Sequence, residues 1–123
     1  MKASVRFPQM RDYVIDALRS LADVDHQRVV WGRYEEGVRY YDDLTLNVHV
    51  LYDDCQVVPE PSTAVGAVLF EHEVPAFTAL HAALDPMIDD LQDASDDVYI
   101  TDPRWPDVVA AAAAALVVMG AAG

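Results

Sequence analysis

The sequence predicts an all-α fold, a single-domain bundle of five to six helices over residues 1–123, with residues 44–52 also readable as a strand. Three observations carry that prediction. Apolar residues recur at helical spacing from Met10 to Leu21 and again from Phe77 to Leu91. Asp102-Pro-Arg-Trp105 is a helix-start signal followed by six successive alanines and a natural stop at Gly120. Finally, 53% of the 123 residues are apolar, enough for one core, with no internal repeat or linker.

Taken in order, Pro8 suits a first helical position, and Met10, Val14, Ala17, Leu18 and Leu21 follow on one face, with Arg11, Asp12, Asp16 and Arg19 turned away. Asp23 and Asp25 offer capping oxygens for a short second helix through Val29, Val30 and Trp31, ending near Gly32 or Arg33. The mixed stretch 34–41, with Gly37, reads as loop. In 44–52, Leu44, Leu46, Val48, Val50 and Tyr52 alternate as in a strand, while Leu44, Val48, Leu51 and Tyr52 trace a helical stripe. Asp42 and Asp43 before it favour a helix N-terminus, so the helix is the expected outcome.

Pro59 and Pro61 mark a loop, after which Ser62 is expected to cap a short helix carrying Val65, Val68, Leu69 and Phe70, with Gly66 allowing close packing. Glu71-His-Glu-Val-Pro75 starts the next helix, whose stripe of Phe77, Leu80, Leu84, Ile88 and Leu91 runs past Asp85-Pro86, where a bend or break is expected. Asp93 to Asp97 reads as an acidic turn before Val98-Tyr-Ile100. In the last helix, Pro103 takes the first position and Trp105, Val109, Ala112, Leu116 and Met119 face the core.

Charge divides the chain unevenly. Residues 1–39 hold seven of the eight basic groups and six acids, whereas residues 40–123 hold fifteen acids and one base, Arg104. Such a segment repels polyanions and attracts cationic surfaces, which argues against direct nucleic-acid binding and for a basic protein partner. The same acidity also suits a GC-rich genome or solubility at high salt. Met1 to Met10 lacks the apolar run of a signal peptide, the apolar stretch 108–122 is too short and too alanine-rich for a membrane span, and Cys55 is the only cysteine. A cytoplasmic address, no membrane and no disulfide are expected.

Four constellations merit attention as chemistry. Asp42, Asp43, His49, Asp53 and Asp54 have the composition of a metal site, with His49 its candidate imidazole. On a helix rising ~1.5 Å per residue, however, the two acidic steps stand about 16 Å apart, and no recognised ligand spacing is met. Capping and solvated charge explain these residues better. Glu71-His-Glu73 with His81 lacks paired histidines at i and i+4 and reads as solvated polar residues near a helix start. Cys55 follows two aspartates that oppose thiolate formation, and the serines stand in no nucleophile context. No phosphate-binding glycine motif is present, so no cofactor is expected. Last, Tyr40, Tyr41, Tyr52, Tyr99 and Trp105 lie among carboxylates, a combination that grips Arg and Lys, although Tyr52 and Trp105 read equally well as core.

The string Tyr40-Tyr-Asp-Asp-Leu-Thr-Leu-Asn-Val-His-Val-Leu-Tyr-Asp-Asp54, with Val65-Gly66 and Asp102-Pro-Arg-Trp-Pro106, resembles a family of small, acidic, uncharacterised actinobacterial proteins. The order of acidic step, helix with a central histidine, second Asp-Asp, glycine-containing helix and Trp-bearing last helix is similar, more distantly, to the helical immunity proteins of bacterial toxin systems. That likeness implies a protein that binds and blocks a toxin, often a basic nuclease, without chemistry of its own.

The expectation is therefore a non-enzymatic protein-binding module that presents Tyr40, Tyr41, Asp42, Asp43, Tyr52, Asp53 and Asp54 to a basic partner. Two other readings stand beside it. One is a metal-dependent or small-ligand-binding enzyme using His49 and its flanking aspartates; the other is a subunit that self-associates through its alanine-rich last helix.

Overall fold

Proline at the first turn and an apolar stripe at i, i+3, i+4 and i+7 produce helix α1, Pro8–Ala22, which buries Val14, Ala17, Leu18 and Leu21. The computed structural model describes residues 5–31, 43–92 and 94–121, and these form six α-helices and no strand. The predicted loop 34–41 lies outside the described residues. Helix α2, Val24–Val30, is capped by Asp23, whose carboxylate accepts from the His26 N–H, and it ends at Trp31, which is buried. Of its apolar residues, Val29 faces solvent.

Residues 44–52 are helical, as the flanking acids favour: α3 spans Leu44–His49 and widens into a π-helical turn at Val50–Asp54. Asp43 caps α3 by accepting from the Leu46 N–H at 2.7 Å.

The helix expected after Ser62 is absent. Residues Pro61–Ala64 make a single 3-10 turn, and Gly66 then takes a φ of +88°, a left-handed conformation that ends helical propagation. The Ala64 carbonyl gathers the N–H groups of Ala67, Val68 and Leu69, while Arg6 and Phe7 donate their amides to the carbonyls of Gly66 and Ala67. Gly66 thus serves backbone conformation rather than close packing, and nothing lies within 4 Å of where its Cβ would stand.

A 3-10 turn at Glu71–Glu73 leads into α4, Val74–Leu91. It runs through Pro86 without the break that was one of the two outcomes expected at that residue. A mid-helix proline costs about 3 kcal/mol. Burial of Leu84 and Met87 on either side of it, worth roughly 1.5–3 kcal/mol each, offsets that cost. The buried stripe is Phe77, Leu80, Leu84 and Met87, with Ile88 and Leu91 at its edge.

The acidic segment is also more helical than expected. Helix α5 starts at Asp96, runs to Thr101, and places Asp96 and Asp97 where the N-terminal end of the dipole favours them. Helix α6, Trp105–Val118, begins later than the start signal suggested. Asp102 accepts from the Arg104 N–H in a local turn, so Pro103 sits in that turn and Pro106 occupies the first turn of the helix. Val108 is fully buried, and Val109, expected to face the core, packs against it half-buried. Gly120, at φ +73°, closes α6 with a Schellman pair: its N–H bonds the Val117 carbonyl, and the Ala121 N–H bonds Leu116.

Helix α6 packs against both α1 and α4, and α3 and its π turn lie against α1. Two buried polar devices join these elements. Gln27 is 1% exposed, donates its side-chain amide to the carbonyls of Ser20 and Leu21, and accepts from Trp105 Nε1 at 2.9 Å. Trp31 packs edge-to-face on Trp105 and donates to Ser20 Oγ, which also accepts from the Asn47 amide. Every buried side-chain nitrogen and oxygen among the described residues has a partner.

The second device corrects two expectations. Arg11, expected to face away, and Glu73, expected at the surface, form a bidentate pair with both contacts at 2.6 Å, and the Glu73 side chain is 1% exposed. Glu73 also accepts from the Phe70 N–H, and the Arg11 guanidinium lies over the Phe70 ring and donates to the Val68 carbonyl. Burial pushes the Glu73 carboxyl up, but the Arg11 hydrogen bonds, the Phe70 amide and the Arg11 charge outweigh it and hold it below its ordinary value.

Two outcomes follow from these pairs. Gln27→Ala takes the side-chain partner from the Leu21 carbonyl and the Trp105 N–H and one of two donors from the Ser20 carbonyl, which keeps the Asp23 N–H, and urea unfolding should show a loss of about 3 kcal/mol; a loss under ~1 kcal/mol would contradict the network's importance. Glu73→Gln should lose about 3 kcal/mol at neutral pH. Because the folded carboxyl is held below its unfolded value of about 4.3, its contribution is complete above that pH and disappears as pH falls further. The gap between wild type and variant should therefore narrow in acid, and a gap constant with pH would exclude this linkage.

Candidate functional site

The segment from Asp43 to Asp54 converts a capped helix into a charged, rigid edge. Its first turn takes two carboxylates: Asp43 from its own chain position, and Asp96 of α5, whose Oδ2 accepts from the Leu44 N–H at 3.3 Å. The dipole at an N-terminus favours both. At the other end the backbone widens, so that the Cys55 N–H bonds back five residues to the Val50 carbonyl. This turn buries Leu51 and Cys55 and leaves Asp53 and Asp54 exposed.

His49 and Asp53 stand one turn apart, with Nδ1 and Oδ2 at 2.5 Å and both side chains about three-fifths exposed, at 59% and 62%. Tyr52 points the other way. It is half-buried against α4, its hydroxyl shares a hydrogen bond of 2.9 Å with His81 Nδ1, and its ring tilts against the imidazole. Burial first, and the Asp85 charge second, push its phenol well above the ordinary tyrosine range, so it stays protonated. Tyr99 is buried in α5 and donates its hydroxyl to the Gln92 carbonyl at 2.8 Å, and Trp105 is buried in the Gln27 network. Neither is a surface aromatic. Tyr40, Tyr41 and Asp42 lie outside the described residues.

Among the described residues no three His, Cys, Asp or Glu side chains converge in a way that could hold a metal ion. His49 meets one carboxylate, Asp53, while Asp43 is engaged in capping. The Cys55 thiol is buried near the Met10 carbonyl and is pushed up by burial and by Asp54, which keeps it protonated.

One feature that sequence reasoning missed is a cleft of about 290 Å³ between α3, the end of α4 and α5. Leu44, Val48, Ile88 and Tyr99 form its apolar walls, and Thr45, His49 and Gln92 stand at its edge. Thr45 and His49 share a helix face at i and i+4, a signal legible in the sequence. The opposite wall comes from residues some forty positions later, which no local spacing reveals. Gln92 lies at φ +47°, a conformation rare for a side-chain-bearing residue, and its carbonyl is held there by Tyr99.

Residues 40–123 hold fifteen acids and one base. Arg104, the only lysine or arginine after Arg39, is bound by Asp90 at 2.6 Å and Asp102 at 3.0 Å. Its hydrogen bonds hold Asp102 below the ordinary carboxylate value. No helix among the described residues is long and apolar enough to cross a membrane.

A family model described as a domain of unknown function, DUF7945, matches residues 5–123, and the chain belongs to that family. No curated protein and no solved structure matches it.

Proposed function

We propose that this member of the DUF7945 family is a non-enzymatic protein-binding module of the cytoplasm that engages a basic protein through its acidic surface. The observation that carries this reading is the disposition of charge around α3 and its π turn. Asp53 and Asp54 are exposed on a turn anchored by buried Leu51 and Cys55, and Arg104, the one lysine or arginine after Arg39, is consumed by Asp90 and Asp102. A cationic partner would be steered to this face and would neutralise charge that the chain does not neutralise itself. The likeness to helical immunity proteins supports a toxin as that partner, which the module would bind and block.

A second reading is favoured by α6. Ala113, Ala114, Val117 and Val118 are exposed, Val117 at 65%, and no charge occurs from Val108 to Ala121. This face could pair with a second copy. The net charge of −13 on each chain opposes such pairing, so it would strengthen with salt, whereas a cationic partner would be lost with salt.

The discriminating experiment is capture from native lysate at low salt, followed by association kinetics with the purified captured protein. Association should slow as salt rises, and the double variant Asp53→Asn with Asp54→Asn should reduce the on-rate about tenfold at low salt. An unchanged on-rate, or one indifferent to salt, would overturn the reading. Sedimentation of the isolated chain should give a monomer mass at every concentration and salt, and growth of mass with both would favour pairing through α6 instead.

A further inference from the structure

We infer that the pocket between the start of α1, the end of the π turn and segment 63–68 receives a basic side chain of the partner, an inference that rests on the binding function proposed above. The pocket holds about 210 Å³, and Asp54, one of the two exposed carboxylates of the π turn, is part of its lining. Phe7, Met10, Ala67 and Val68 give it apolar walls. Among the described residues the Asp54 carboxylate has no hydrogen bond or ion pair, and no lysine or arginine lines the pocket. The two arginines at the start of α1 are turned to other contacts. Arg6 lies over the Phe7 ring, 5.9 Å from its centroid, and Arg11 is committed to the buried Glu73.

An anion there would meet the Asp54 charge, and a purely apolar group would cover that carboxylate without pairing it, which costs free energy. A lysine or arginine side chain suits both halves of the lining, because its aliphatic stem covers apolar wall while its charged end stays at the mouth. The remaining polar groups of the lining also accept hydrogen bonds: Gln56 carries an amide oxygen, and the Thr63 hydroxyl, whose own proton goes to the Glu60 carbonyl, keeps its lone pairs. In open solvent a carboxylate–ammonium pair adds little affinity, and beside apolar walls that displace water it adds more. The walls are fixed in advance. The Phe7 N–H bonds the Ala67 carbonyl at 2.8 Å, and the Cys55 thiol donates to the Met10 carbonyl, so the start of α1 is tied to both neighbouring segments. The N–H groups of Ala67 and Val68 both return to the Ala64 carbonyl, and little ordering remains for binding to supply.

The test is an amide NMR titration of the full chain at low salt with the blocked tripeptide N-acetyl-Ala-Lys-Ala-amide and its arginine and norleucine counterparts. One or both cationic peptides should shift Met10, Cys55, Ala67 and Val68, and the norleucine peptide, which keeps the stem without the charge, should bind about tenfold more weakly, the loss expected for a charge-assisted contact. Asp54→Asn should bring the cationic peptides down to the norleucine level. Ala67→Leu and Thr63→Phe, which narrow the pocket at positions that are not fully buried, should each weaken binding by a similar factor with the melting temperature kept. Equal binding of the norleucine peptide would overturn the inference, as would an absence of shifts at those four amides with both cationic peptides, or shifts that persist unchanged in Asp54→Asn and in both filling variants. In each of these cases salt-steep association of the captured partner would still stand, whereas its absence would remove the binding function itself.

Discussion

The side-chain amide of Gln27 joins three parts of the molecule that are far apart in the chain. It satisfies the carbonyls of Ser20 and Leu21, at the end of α1 where a helix runs out of its own donors, and it receives the indole of Trp105 from the first turn of α6. An amide placed in a core without partners is costly, so this one admits a single arrangement of its neighbours. With Trp31 and Asn47 both reaching Ser20 Oγ, the ends of α1, α2, α3 and α6 are fixed relative to one another. Apolar burial supplies most of the stability, yet it is non-directional, and the polar centre sets the registry.

Charge is handled by the same economy. The chain has eight lysines and arginines for 21 acids, and among the described residues Arg11, Arg19 and Arg104 are held in internal or local bridges. Arg11 neutralises the buried Glu73 and covers Phe70, linking α1 to the approach of α4. Arg104 joins the end of α4 to the turn before α6. The exposed acids of the second half are left as net surface charge, which resists self-association and favours a cationic surface. Structural needs and the acidic exterior are thus two consequences of one scarcity.

The π turn at Val50–Asp54 connects this surface to the core. By carrying the chain through a wider turn, it lets Leu51 and Cys55 both face inward while Asp53 and Asp54 remain outside. It also directs Tyr52 onto His81 of α4, so the charged edge is braced from behind. An acidic step on a mobile loop would lose binding energy to ordering, and one braced in this way loses less.

Much of the helical content was legible in the residues themselves. Pro8 and the Met10 to Leu21 stripe marked α1, Asp43 marked the start of α3, and Gly120 marked the end of α6, because each acts through its own backbone or near neighbours. The same local rules misplaced the helix after Ser62, where Gly66 adopts a positive φ and Arg6 and Phe7 take up the nearby carbonyls. They also allowed a break as well as a bend at Pro86, where the helix continues because burial around Leu84 and Met87 outweighs the lost amide. What the sequence by itself determined was therefore the helical class, the acidic second half and the polar character of Asp53 and Asp54. Only the tertiary structure decided that Arg11 and Glu73 are partners, that Tyr99 and Trp105 are interior, and that Thr45 and His49 border a cleft closed by α4 and α5. Periodicity and capping are properties of adjacent residues, whereas pairing and enclosure depend on which distant surfaces meet.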